Sequence, residues 1–177
     1  MGKVKTPDPV KLFCGFIFVD QDVLQQAVER LQVRLGSIDV HSEIFPFTYT
    51  SYYRQEMGAD LGRLFVAFER PIRCEQLPEI KILTNGLEEN LARKTAAGKR
   101  RRINIDPGYL EASKLILAST KNFSHRVYLG RGIYAEVTLQ YRGNNFEALP
   151  WTYPDYQDVK VLDFLRRARR VYMGQVR

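Results

Sequence analysis

The sequence is short of the residues that build covalent staples and most compact active sites. Only two of its 177 residues are cysteine, Cys14 and Cys74. Their spacing suits no zinc site and the chain needs no disulfide, so a reducing cytoplasm is the implied setting. No apolar run approaches the ~20 residues that cross a bilayer, so no membrane span is expected. Residues 1–9 lack the apolar centre of a signal peptide and read as a mobile, basic lead. Repeats, linkers and low-complexity tracts are missing as well, and 1–177 reads as a single domain. Catalytic spacing signals are absent too. No Ser/His/Asp, Cys/His or paired-carboxylate arrangement stands out. Gly98 and Lys99 come without the first glycine or the hydroxyl of a phosphate-binding loop. Residues 120–123 lack the aspartate of a guanine-reading motif.

What is present is cationic charge and tyrosine. A formal charge of +7 and a pI near 9.5 favour anionic partners: a nucleotide, nucleic acid or a membrane surface. Ten tyrosines combine packing area with a hydroxyl. Hydrophobic content of 45% is enough for the core of an ordinary soluble protein.

The hydrophobic pattern predicts the elements. Residues 12–19 form a nearly continuous apolar run, as in a strand buried on both faces. Asp20 and Asp22 offer capping oxygens, Gly36 a stop, and Leu24, Ala27, Val28, Leu31 and Leu35 one helical stripe between them. Residues 38–44 alternate, with Ile38, Val40, Ser42 and Ile44 on one side and Asp39, His41 and Glu43 on the other. Residues 47–58 read as an aromatic loop packed by its own tyrosines, and 64–68 as a central strand. Pro78, Ile80, Leu83, Leu87 and Leu91 predict a second helix that Gly98 ends. Strand, helix, strand, strand, helix, strand is the order of a ferredoxin-like split βαβ sandwich over 10–106, an α+β fold. Residues 107–177 then add an extension packed on that core. Residues 110–120 suit a helix or a strand, with Glu111, Ala112, Lys114 and Leu115 favouring a short helix. A hairpin at 125–129 and 133–141, a rigid loop around Trp151, and a basic helix with Val161, Leu165, Ala168 and Tyr172 inward are expected.

The candidate site lies at residues 99–106. Strand alternation puts Ile103 and Ile105 toward the helices and Arg100, Arg102, Asn104 and Asp106 on the sheet's open face. Two guanidinium groups beside an amide and a carboxylate suit a phosphate, with Asp106 as one hard oxygen ligand for magnesium. Asp106 and His125 are the candidates for catalytic work, and Arg126 is a further ligand-binding candidate. Glu136 is a second acid–base candidate beside His125.

Two resemblances attach to these residues. Asn104, Asp106, Pro107, Gly108 and Tyr109, then Ser124, His125 and Arg126, then Gly132 to Thr138 and Leu149 to Tyr156, resemble an uncharacterised bacterial family, the domain of unknown function DUF 4416. The likeness spans essentially the whole chain and implies no reaction. Arg101 and Asp106, with the basic pair His125 and Arg126 downstream, are also similar to the pterin pyrophosphokinases. That likeness implies a ferredoxin-like fold and magnesium-dependent pyrophosphoryl transfer, although Asn104 stands where those enzymes have an aspartate. Three readings remain open from sequence: a binder or enzyme for a phosphate-bearing small molecule, an RNA- or DNA-binding module, and a protein-interaction module.

Overall fold

The computed structural model describes residues 1–96 and 98–176. In chain order they form β1 (Lys11–Phe18), α1 (Gln21–Leu35), β2 (Ile38–His41), β3 (Phe45–Pro46), the single turn α2 (Arg54–Met57), β4 (Gly62–Phe68) and α3 (Leu77–Leu91). A small hairpin of β5 (Arg93–Thr95) and β6 (Gly98–Arg100) follows. The rest comprises β7 (Ile103–Leu110), β8 (Lys114–Ser119), β9 (Val127–Gly130), β10 (Ile133–Arg142), β11 (Asn145–Ala148) and α4 (Val159–Gln175). Helix at 33% and strand at 35%, with a mostly antiparallel sheet, make the fold α+β. The main sheet runs β11–β10–β8–β7–β1–β4–β2, with β3 beside β4 and β9 beside β10.

The centre of the sheet is β1, every residue of which is buried. Its alternation divides the core. Leu12, Cys14, Phe16 and Phe18 meet Leu64, Val66, Ile103 and Ile105 under α1 and α3. Phe13 joins Phe65 and Ala67 on the opposite face. Helix α1 forms where its signals place it: Asp20 accepts the Val23 N–H at 2.8 Å, and Gly36 ends the helix at φ 101°. Helix α3 stops at Leu91 rather than at Gly98. No large apolar side chain follows Leu91 to hold another turn against the sheet, and the exposed residues of β5 and β6 form a hairpin instead.

Three further expectations change in the structure. The second sheet face is not open. Helix α4 lays Phe164, Leu165, Ala168 and Tyr172 over it, because Phe13 and Phe65 would otherwise leave a large apolar area in water. Residues 114–119 form a strand, not a helix. Leu115, Ile116, Leu117 and Ala118 are all buried, and a strand covered on both faces uses such a continuous apolar run. Trp151 does not anchor its loop from within: it is 37% exposed, stacked on His125 at 5.0 Å, with its indole N–H donating to Val137 O at 2.8 Å. The buried anchors there are Thr152, Asp155 and Tyr156.

The sheet splits on one side of β7. Pairing with β8 covers only Gly108, Tyr109 and Leu110. At Gly108 the strands are close enough that a Cβ would lie 2.2 Å from Ile116 O, so only glycine fits. Toward Ile103 the two strands part, and helix α3 serves the free edge of β7. Lys81 Nζ donates to Ile105 O at 2.9 Å, and Glu88 Oε1 accepts the Ile105 N–H at 2.7 Å. Two charged side chains thus replace a missing strand. The gap they line is where the site lies.

Candidate functional site

The split, the loop of residues 47–53 and the segment 153–156 enclose a cleft of about 640 Å³. That volume falls within the usual range for small-ligand sites. Arg63 of β4 lies in its floor at 1% exposure. Gly15 makes this placement possible. A Cβ there would meet Phe65 Cε1 at 2.9 Å and both Arg63 terminal nitrogens at 3.1 Å, so the guanidinium rests over bare backbone. We expect Gly15→Ala to displace Arg63 and Phe65 and to cost about 1–3 kcal/mol, the usual penalty of overpacking, read from urea unfolding.

The Arg63 guanidinium stands 4.2 Å from the Phe65 ring centroid and 5.5 Å from that of Tyr156. Its Nη2 pairs with Asp155 Oδ2 at 2.6 Å, whereas among the described residues Nε and Nη1 have no hydrogen-bond partner. Burial works against its charge, but Asp155, together with Asp106 and the neighbouring tyrosines, outweighs this and raises its pKa, so the cation persists. The buried Tyr156 hydroxyl is also unpartnered. Burial pushes its pKa up, as it does at Tyr53, so both are neutral donors.

The four carboxylates of the cleft are occupied. Asp155 holds Arg63. Asp106 accepts from Asn104 Nδ2 at 2.6 Å and from Lys81 Nζ at 3.4 Å. Glu88 takes the Ile105 N–H and faces Arg101 Nη1 at 3.4 Å. Glu136 accepts from Arg126 at 2.8 Å, His125 at 3.2 Å and Thr138 at 3.1 Å. Donors, by contrast, are in surplus among the described residues: Arg63 keeps two nitrogens unused and Arg101 its buried Nε, and Lys121 at the rim donates to the Tyr52 hydroxyl at 3.0 Å. Such a cleft suits a ligand rich in acceptor oxygens. Burial raises the Glu88 carboxyl to about 7, against the pull of Lys81, which places a proton-exchanging group in the wall.

Of the residues singled out from sequence, the structure brings Asn104, Asp106 and Glu136 into the cleft. Arg100 and Arg102 lie elsewhere. Arg100 donates to Glu56 O at 2.9 Å, and Arg102 pairs with Asp20 at 2.9 Å and Asp22 at 3.6 Å beside the start of α1. Their neighbour Arg101 lines the cleft instead, bonded to Glu56 Oε2 at 2.5 Å and to Asn104 Oδ1 at 3.0 Å. Strand β7 begins only at Ile103, and Arg100 belongs to β6 of the separate hairpin, so the alternation of β7 cannot be carried back to residues 100–102. His125 and Arg126 stand behind the far wall: they hold Glu136, and Arg126 also donates to the Tyr153 hydroxyl at 2.7 Å. Arg63, Lys81, Glu88 and Asp155 were not marked by the sequence. The one available signal was Arg63 itself, a cation opening the run Leu64 to Phe68. Among the described residues, no group of three or more His, Cys, Asp and Glu side chains is placed to hold a metal. Among the described residues no helix is long and apolar enough to cross a membrane.

Fold and site together define an α+β protein whose split antiparallel sheet carries a donor-rich, tyrosine-walled cleft. Comparison with family descriptions gives a match over residues 8–172 to Domain of unknown function (DUF4416). The chain belongs to that family. No curated protein and no solved structure matches it.

Proposed function

We propose that the cleft binds a phosphate-bearing small molecule of nucleotide size. The observation that carries this reading is the buried Arg63 guanidinium in the cleft floor, with Nε and Nη1 unpartnered. A buried unpaired donor costs about 1–3 kcal/mol, and a ligand oxygen removes that cost on binding. Arg101 and Lys121 supply further positive charge, and Tyr52, Tyr53 and Tyr153 offer ring faces for a base. The strand order β7–β1–β4–β2 with α1 and α3 on one face supports a ferredoxin-like unit, as in the likeness to pterin pyrophosphokinases. Magnesium is not needed for binding in this reading, since both Asp106 oxygens already serve Lys81 and Asn104. The free thiols of Cys14 and Cys74 fit a cytoplasmic setting.

The test is isothermal titration of the full chain with ATP, GTP and pyrophosphate, with and without magnesium. At least one should bind. Arg63→Met should weaken it about 10- to 100-fold, the worth of a hydrogen bond to a charged group. Removal of magnesium should change affinity little. No binding by the wild type, or equal binding by Arg63→Met, would overturn the reading.

A further inference from the structure

We propose that the ligand of this cleft is the end of a single-stranded nucleic acid, whose following phosphates lie along the hairpin of β5 and β6. The inference rests on the reading of the cleft as a nucleotide site.

Residues 93–102 hold six cations, Arg93, Lys94, Lys99, Arg100, Arg101 and Arg102, and no acidic residue. The pairing of the hairpin sets like charges opposite one another, Arg93 against Arg100 and Lys94 against Lys99. Directly opposed like charges destabilise a two-stranded ladder, which is marginal in any case. All four side chains are exposed. Among the described residues none of the four makes an ion pair within 4 Å, and Arg100 bonds only a backbone carbonyl. A polyanion lying on the hairpin relieves this repulsion. One free mononucleotide does not, because its phosphates are already met inside the cleft.

The hairpin and the cleft are continuous. A second depression of about 500 Å³ is lined by Arg93, Arg100, Arg101 and Arg102, with Asp20 and Met57. Arg101 lines both hollows, and its buried Nε has no partner. A chain of phosphates therefore has a cationic path from the cleft, past Arg101, to the exposed lysines. Tyr52 and Tyr153 line the cleft and offer ring faces to an unpaired base, which favours a single strand over a duplex.

The experiment titrates the full chain with UMP, with the 12-nucleotide strands U12 and dT12, and with a 12-residue polyglutamate, at several salt concentrations. Wild type is compared with Lys94→Glu/Lys99→Glu and with the milder Lys94→Gln/Lys99→Gln, each checked for wild-type circular dichroism. The expected result is that one or both 12-mers bind at least tenfold more tightly than UMP. Four phosphate contacts give a slope of about −3 in log affinity against log salt. Both double variants should lose 12-mer affinity, by tenfold or more for the glutamate pair, and leave UMP binding unchanged. UMP bound as tightly as the 12-mers, or 12-mer binding untouched in the variants, overturns this inference while the cleft reading stands. Polyglutamate bound as tightly as U12 also overturns it, in favour of an acidic protein partner. If neither UMP nor any 12-mer binds, the inference falls, and the titrations with ATP, GTP and pyrophosphate decide the cleft reading separately.

Discussion

Asp155→Asn is expected to lower the free energy of unfolding by about 3–5 kcal/mol, the usual result of breaking a buried ion pair from one side. Among the described residues Asp155 is the carboxylate paired with Arg63, at 2.6 Å, and the guanidinium it neutralises is 1% exposed. Without that charge, Arg63 keeps its burial and loses its compensation. Two of its nitrogens already lack partners, so the site has no reserve of acceptors to offer. The double change Arg63→Met/Asp155→Leu should recover most of the loss, because it removes both charges and leaves apolar side chains among Phe47, Phe65 and Tyr156. The exposed pair Lys160–Glu43 provides the contrast: Glu43→Gln should change stability by less than about 1 kcal/mol. Urea unfolding of the three variants beside wild type gives all these values. A double variant as unstable as Asp155→Asn would show that Arg63 is kept for packing, not tolerated for its charge.

Glu88→Gln is expected to stabilise the protein at pH 8 by up to about 3 kcal/mol and to have no such effect at pH 4. Burial raises this carboxyl from an ordinary 4.5 to about 7. Below 4.5 both folded and unfolded chains hold the proton, and the group contributes nothing to pH dependence. Between 4.5 and 7 the unfolded chain releases the proton and the folded chain keeps it, so wild-type stability falls as pH rises. Above 7 both have released it and the loss levels off. Glutamine still presents an oxygen to the Ile105 N–H, so the variant keeps the bond and loses the titration. Stability measured from pH 4 to pH 8 for both proteins reads the difference directly. Parallel curves would remove Glu88 from the account. An anion in the cleft holds the Glu88 proton more tightly, so binding should take up protons and weaken as pH rises through 7.

Much of the frame was legible because local signals agreed with one another. Helix α1 has its cap at Asp20, its stripe and its stop at Gly36 within one short segment. The apolar run of β1 predicted burial on both faces. The course of the second face was not legible. The stripe Val161, Leu165, Ala168, Tyr172 announces a helix but not the surface it covers, which is set by Phe13 and Phe65 far away in sequence. Residues 114–119 were ambiguous because Ala, Leu and Lys are good helix formers, and the sheet overrides that preference by burying the run. At the site, period-two reasoning selected Asn104 and Asp106 and failed at residues 100–102, which lie before the strand. Arg63 and Glu88 are legible only in three dimensions, since Gly15, Asp155 and the free edge of β7 give them their roles.

The most direct measurement is the ¹⁵N resonance of the Arg63 side-chain Nε–H, assigned by its loss in Arg63→Met, followed while ATP is added to the full chain. If the floor of the cleft receives the ligand's oxygens, that resonance shifts with the saturation curve seen by calorimetry, and its exchange with water slows. A resonance that stays fixed while ATP binds, or a spectrum that ATP leaves unchanged throughout, would contradict the account.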